Sequence, residues 1–339
     1  MSAAVPKHET SGPTKQREPA LSVVLATEGD ARLIAKTLKH LLAQTIVRQL
    51  ELVIVASHPE RLGLTSSELS AFGFHQLVSL DALRSKAQAN TAGLRQARAN
   101  VVAFAEDHCF PEPDWAAALL QRHDEPWAAV GPTIRNANPG TVTSWCDLIL
   151  DYQPWLNPTA GGPVDCLPGH NSSYKKSALK NYEDRLERWL EVETELHLNM
   201  TRDGLALYLE PKAGVAHVNF SRVSAWLQKL YYSGRVYADE RRRTWGVVRR
   251  IFYVMAASCI PVVRLARILT AWPGAAADIP SPLRLLPCLL LGLIADGAGQ
   301  MIGYLLGAKS AATRMVDFEF NRGRYVRDQE SAILYGDVQ

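Results

Sequence analysis

The segment Asn100-Val-Val-Ala-Phe-Ala-Glu-Asp-His-Cys-Phe-Pro-Glu-Pro-Asp-Trp115 carries the densest set of reactive groups in the chain. Its first six residues read as a buried strand that delivers Glu106, Asp107 and His108 together, and Pro111 and Pro113 then lead into a helix starting near Asp114 and Trp115. Two carboxyl groups and an imidazole on consecutive residues can bind a ligand beyond the strand end, or can merely cap the turn. A second set lies on a helix predicted from about Arg185 to Arg202. There Trp189, Val192, Leu196 and Met200 define an apolar face, with Glu193 at its edge and Glu195 turned further toward solvent. A carboxylate that acts as a base must be held at its substrate, which favours Glu193. His197, four residues on, can orient that carboxylate, and the plain alternative is a surface pair. A third set is Leu167-Pro-Gly-His-Asn-Ser-Ser-Tyr-Lys-Lys-Ser-Ala-Leu179, where Gly169 permits close backbone approach and His170 and Asn171 can hydrogen-bond hydroxyls. By composition alone that loop is only a turn.

The elements that must position these groups alternate regularly. Leu21-Ser-Val-Val-Leu-Ala-Thr27 is a short apolar strand, followed by a helix with Leu33, Ile34, Leu38, Leu41 and Leu42 at helical spacing. Strands follow at Leu50 to Ala56, around Gln76 to Leu80 and at Asn100 to Ala105, with a helix from Ser85 to Ala99 between the last two. This alternation implies an α/β fold with a mostly parallel sheet, and such sheets bind ligands beyond the carboxyl ends of their strands. Thr27, Glu28 and Asp30, and then Glu106, Asp107 and His108, fall at those ends.

The chain has 339 residues, 37 Lys plus Arg and 34 Asp plus Glu, enough for a full core without disulfides or structural metal. Composition excludes collagen, coiled coil and bulk disorder. Five scattered cysteines without a CxxC pair suggest free thiols in a reducing compartment and argue against a zinc finger. Basic charge is local: Arg222 to Arg267 holds ten Lys or Arg against two acids, whereas the remainder has 27 against 32. Such a block meets phosphates or forms a solvated face. Aromatics from Trp226 to Tyr253 interleave with it, and apolar stretches follow at Ile251 to Trp272 and Leu283 to Gly307. Prolines and charges interrupt both, so neither is a clean transmembrane span, but both can lie in or cross a membrane boundary. Ala295, Gly299, Gly303 and Gly307 form a small-residue stripe that lets helices approach closely. Aromatic and basic residues beside apolar helices favour association with a membrane over a soluble helical hairpin packed on the catalytic domain. Residues 1–19 are polar and read as a disordered tail rather than a signal peptide. The expected organisation is a catalytic domain over 20–220, membrane-associated helices over 221–310 and a polar tail over 311–339.

The three segments together resemble the family 2 glycosyltransferases of GT-A fold. In that family the fourth strand ends in a Phe-Leu-Asp-Asp-Asp-like metal motif followed by Pro and Pro-Asp-Trp, which Glu106-Asp107-His108 and the residues after it match with Glu and His at the first and third positions. Pro211-Lys-Ala-Gly-Val-Ala-His217 resembles the family's Pro-x-Ala-x-x-x-His ending, and Gly169-His-Asn171 its Gly-x-Asn segment. The resemblance implies a cation, Mn2+ or Mg2+, held by Glu106, His108 and His217, with imidazole favouring Mn2+. It implies Glu193, at the position of the family's catalytic Asp, as base. Val192 takes the place of the Glu before it. Gly169, His170, Asn171, Glu195 and His197 fall on the donor and acceptor sugar side. Thr27, Glu28, Asp30, Lys86, Asn90 and Asp107 fall on the nucleotide side, with no GxGxxG or P-loop to support another nucleotide fold.

The expected function is an inverting, metal-dependent transfer of a single sugar from a nucleotide sugar to a lipid-linked or glycan acceptor, at the cytoplasmic face of a membrane. The resemblance favours a UDP-sugar, leaves GDP and dTDP open, and implies no nucleic-acid partner. The alternatives are a nucleotidyltransferase and a catalytically silent membrane-bound adaptor of the same fold.

Overall fold

A computed structural model describes residues 18–28, 31–272 and 278–335. The expected tail over 1–19 falls almost wholly outside them, as does Asp30. Nine strands form one sheet: β1 (Leu21–Ala26), β2 (Leu50–Ala56), β3 (Phe74–Ser79), β4 (Val101–Ala105), β5 (Cys109–Pro111), β6 (Ala129–Asn136), β7 (Gly162–Val164), β8 (Ser173–Lys175) and β9 (Leu207–His217). Their order is β3-β2-β1-β4-β8-β6-β9-β5, with β7 on β9. The β3-β2-β1-β4 half is parallel, β8 runs against both β4 and β6, and the long β6–β9 pair is parallel again.

All six residues of β1 are buried, as an apolar run in a parallel sheet covered on both faces must be. Leu21, Val23 and Leu25 pack with Ile34, Leu38 and Leu41 of the Ala31–Leu42 helix on one face. Val24 and Ala26 pack with Ala87 and Leu94 of the Lys86–Gln96 helix on the other. A Cβ at Gly93 would lie 2.3 Å from a Val24 methyl, so glycine there lets that helix seat on the sheet.

Two pairings build the functional end. β4 stops at Ala105 and β5 starts at Cys109, so residues 106–108 form the turn between them, closed by Cys109 N–H donating to Glu106 O at 3.4 Å. β5 then runs antiparallel to β9 with Cys109 opposite His217. The ends of two chain segments a hundred residues apart are thereby brought side by side.

Two sequence expectations need correction. The single helix over 185–202 is in fact a 3-10 turn (Glu183–Arg185), a short helix (Leu186–Trp189) and, after a break, the helix Glu193–Arg202. Val192 leaves helical conformation at φ −136°, so Trp189 and Glu193 do not share a helix face. The expected polar tail over 311–339 instead contributes the helices Ala311–Phe320 and Asp328–Tyr335. Its charges conceal Phe318 and Phe320, which are buried, and Tyr325, which stacks on Phe220 at 5.5 Å. Hydrogen bonds from Ser221 N to Tyr325 O and from Arg327 N to Ser221 Oγ fasten this segment to the end of the sheet domain.

Between these parts, the helix Val223–Arg242 packs along the helix Pro282–Leu306. Glycines on both sides bring the backbones together: a Cβ at Gly299 would lie 2.0 Å from Tyr231 O. The apolar segment Val247–Thr270 and the helix Pro282–Leu306 are both long and apolar enough, by length and composition, to cross a membrane. Val248, Met255 and Val262 in the first are 84%, 71% and 70% exposed. The charges that interrupt the two helices, Arg264 and Asp296, pair with each other at 2.6 Å.

Candidate active site

Glu106 and Asp107 are 5% exposed, and His108, His170 and His217 are 1–2% exposed. Lys86 Nζ reaches Glu106 Oε1 at 3.0 Å, while Glu106 Oε2 has no hydrogen-bond donor. That orphaned oxygen faces His108 Nε2 at 3.4 Å, His217 Nε2 at 3.7 Å and His170 Nδ1 at 3.9 Å. A buried carboxylate oxygen left without a partner is costly, so a ligand for it is the natural expectation.

The tautomers of two of these rings follow from their neighbours. Arg322 can only donate, so its Nη2, 2.9 Å from His108 Nε2, requires that nitrogen to accept; the ring proton is then on Nδ1, donated to Asp107 Oδ1 at 2.8 Å. The Asn219 amide nitrogen donates to Asn136 Oδ1 and His217 O. Its Oδ1 therefore accepts from His217 Nδ1 at 2.9 Å and leaves Nε2 without a proton. Burial, reinforced by Arg322 beside His108 and by His170 and Arg322 beside His217, holds both imidazoles well below the ordinary histidine range, so they are neutral. Neutral rings that donate through Nδ1 to an oxygen and present Nε2 inward are the usual arrangement of metal-binding histidine. One ligand atom from each of Glu106, His108 and His217 lies within 4.8 Å of the others, near the roughly 4.4 Å spanned by two ligands on opposite sides of one ion. The donor set fits a divalent cation.

Glu193 is the first residue of its helix, and its Oε1 lies 3.1 Å from the same Lys86 Nζ. A Cβ on residue 169 would fall 2.4 Å from the Glu193 carboxyl carbon, so glycine there is what lets the side chain in. Lys86 itself opens a helix, where a cation opposes the macrodipole. Burial alone would lower its pKa, but Glu193, Glu106 and Glu319 outweigh it and hold the ammonium well above the usual lysine range.

The loop bearing His170 and Asn171 is pinned to the sheet by Asn171 N to Phe104 O at 2.6 Å and by Trp115 Nε1 to Asn171 O at 3.1 Å. Asn171 takes a left-handed φ of 53°, which asparagine tolerates. His170 Nε2 and Asn171 Nδ2 are buried without partners. Thr27 Oγ1 contacts Asp107 Oδ2 at 3.4 Å, and Asn90, one turn on from Lys86, presents an unpartnered Oδ1. Burial, then Glu319 and Glu106, push the Asp107 carboxyl well above its usual range.

Other expected site residues are not brought to this cluster. His197 is a core residue: Leu167 N–H donates to its Nδ1 at 3.4 Å, and its Nε2 meets Tyr174 OH at 2.8 Å. Both ring nitrogens are thus committed, and it does not orient Glu193. Glu195 lies toward Cys166 and Arg188, and Glu28 is exposed. Conversely, the cluster includes groups that sequence reasoning missed. Tyr152 OH stands 3.4 Å from His217 Nε2, Asn219 fixes that ring, and Glu319 and Arg322 arrive from the supposed tail. Arg322 follows the helix Ala311–Phe320 in a 3-10 turn, so no helical spacing signalled it.

This end of a GT-A-type α/β sheet, with acids after β4 and a histidine closing β9, belongs to a nucleotide-sugar transferase fold. Residues 22–183 match the family model described as glycosyl transferase family 2. Residues 22–183 thus resemble a family 2 glycosyltransferase domain, and glycosyl transfer is the activity that this match supports. Comparison with curated proteins returns no match. Among solved structures, the chain is similar to the mannosyltransferase PcManGT from Pyrobaculum calidifontis, in complex with GDP-Man and Mn2+, with TM-score 0.54 and 18% identity over 88% of this chain and 90% of that one. It is also similar to residues 1–349 of S. aureus TarS, with TM-score 0.45 and 15% identity over 87% and 91%.

Proposed function

We propose that this protein transfers a single sugar, with inversion, from a nucleotide-sugar donor to an acceptor hydroxyl at a membrane surface. The observation that carries the proposal is the unpartnered Glu106 Oε2 facing the Nε2 atoms of two neutral imidazoles, one lysine away from Glu193. Glu106, His108 and His217 would hold a divalent cation, which supplies positive charge to the departing diphosphate. Glu193 takes the acceptor proton as the acceptor oxygen attacks the anomeric carbon on the side opposite the diphosphate, and a single base suffices for inversion. Lys86 ties the base to Glu106. Thr27, Asn90 and Asp107 lie on the nucleotide side, while the unpartnered acceptor His170 Nε2 and donor Asn171 Nδ2 suit sugar hydroxyls. The exposed apolar face of Val247–Thr270, with Arg249 and Arg250 beside it, supports a seat on the cytoplasmic face of a membrane and hence a lipid-linked or membrane-proximal acceptor.

The test is a panel of nucleotide sugars, assayed with and without Mn2+ for release of nucleoside diphosphate. Glu193→Gln should lower kcat by about 10²–10⁴-fold while donor affinity holds. Release of pyrophosphate, or a wild-type protein indifferent to every donor, would overturn the reading. Replacing Ile251 and Phe252 by glutamate should weaken binding to anionic vesicles at least about tenfold.

A further inference from the structure

Arg322 is 214 positions from His108 in the chain, yet it supplies the donor to His108 Nε2 at 2.9 Å. Its side chain is 6% exposed, and its guanidinium lies over the Phe220 ring at 4.4 Å. Its bonding is poor for a buried arginine. Nε has no hydrogen-bond partner, and the nearest carboxylate oxygen, Glu319 Oε2, is 3.8 Å away. A guanidinium is a planar fork suited to two oxygens of a carboxylate or phosphate, and a neutral imidazole uses only one of its donors. His108 Nε2 has a single lone pair, so it can accept from Arg322 or bind a cation, but it cannot do both.

We propose that Arg322 is a further donor-binding residue, which releases His108 Nε2 when the divalent cation binds and turns its guanidinium onto the diphosphate of the nucleotide sugar. This rests on the functional reading above. The backbone around Arg322 is held by the bonds of Ser221 to Tyr325 and Arg327. The guanidinium therefore pivots over Phe220 while its backbone stays in place. Among the described interactions, four carboxyl groups (Glu106, Asp107, Glu193 and Glu319) face Lys86 and Arg322 as their cations in this cluster. An incoming polyanion thus meets few cations, and Arg322 is one that no other bond fully occupies.

The test uses the full chain and two titrations, Mn2+ alone and then UDP or GDP at saturating Mn2+, both by calorimetry. Arg322→Met keeps the apolar stem over Phe220 and removes every donor. It should bind Mn2+ about tenfold more tightly, because a competitor for His108 is gone, and bind the nucleoside diphosphate about tenfold more weakly. Arg322→Lys should fall between wild type and Arg322→Met in both titrations, and it decides by the same two signs if the methionine variant does not fold. A purely structural role weakens both affinities, and a bystander changes neither; either result overturns the proposal. If wild type binds neither Mn2+ nor either nucleotide, the glycosyl-transfer reading fails first and takes this one with it.

Discussion

Two glutamates are buried in this sheet, and they are bonded very differently. Glu51, in β2, is 1% exposed, with Oε1 accepting from Gln76 Nε2 at 3.0 Å and Oε2 accepting from Arg98 N at 2.7 Å and Ser22 Oγ at 2.5 Å. Glu106, at the end of β4, is equally inaccessible but leaves Oε2 bare among three imidazoles. Both carboxyls have been taken out of water, and only one has been given enough donors in return. A satisfied buried acid fastens strands together, whereas an unsatisfied one stores affinity for something the chain does not itself provide. Burial alone would not have told these two residues apart.

The contrast can be broken most forcefully at Glu106. Glu106→Gln should reduce sugar transfer by about 10³-fold, the several kcal/mol that a cation contributes at a leaving diphosphate, while the melting temperature holds or rises. A fall in melting temperature comparable to that of a Glu51 variant would erase the distinction. Asn219→Ala, which frees the His217 ring, should weaken Mn2+ binding by about 10–100-fold in a calorimetric titration. Glu51→Gln should do the reverse, costing about 1–3 kcal/mol in denaturant unfolding and leaving Mn2+ affinity unchanged.

The smallest effect concerns imidazoles away from the cluster. Burial pushes His123 down to about 4 and His197 down to about 3, from an unfolded value of 6.5. Below pH 6.5 the unfolded chain takes up protons that the folded one refuses, so each ring's penalty is absent above pH 6.5 and grows as pH falls toward the folded value. The slope is about 1.4 kcal/mol per pH unit per ring. Unfolding measured at pH 7 and pH 5 should show His123→Gln losing less stability than wild type over that interval; equal losses would mean that His123 titrates normally in the folded protein.

Much of the sheet was legible because its strands are unbroken apolar runs, each ended by polar residues, and the alternation with helices admits few topologies. The meeting of Glu106, His108 and His217 follows from one strand pairing, and in the sequence it was an implication of the family resemblance alone. The break at 190–192 was not legible, since Leu190, Glu191 and Val192 include neither glycine nor proline. His197 was misplaced because helical periodicity gives a residue's angle and says nothing of which neighbour, here Tyr174, occupies that side. Arg322 was hidden for a different reason: no local pattern encodes a contact across two hundred residues. Its segment looked polar on average while its aromatics were the part that packed.

That long contact also orders events during synthesis. Residues 106, 193 and 217 leave the ribosome well before residue 322, so the nascent sheet domain exists for a time with its imidazoles assembled and their arginine not yet made. During that interval His108 Nε2 lacks the donor that later occupies it, and the segment that carries Arg322 closes the cluster only once it has been made.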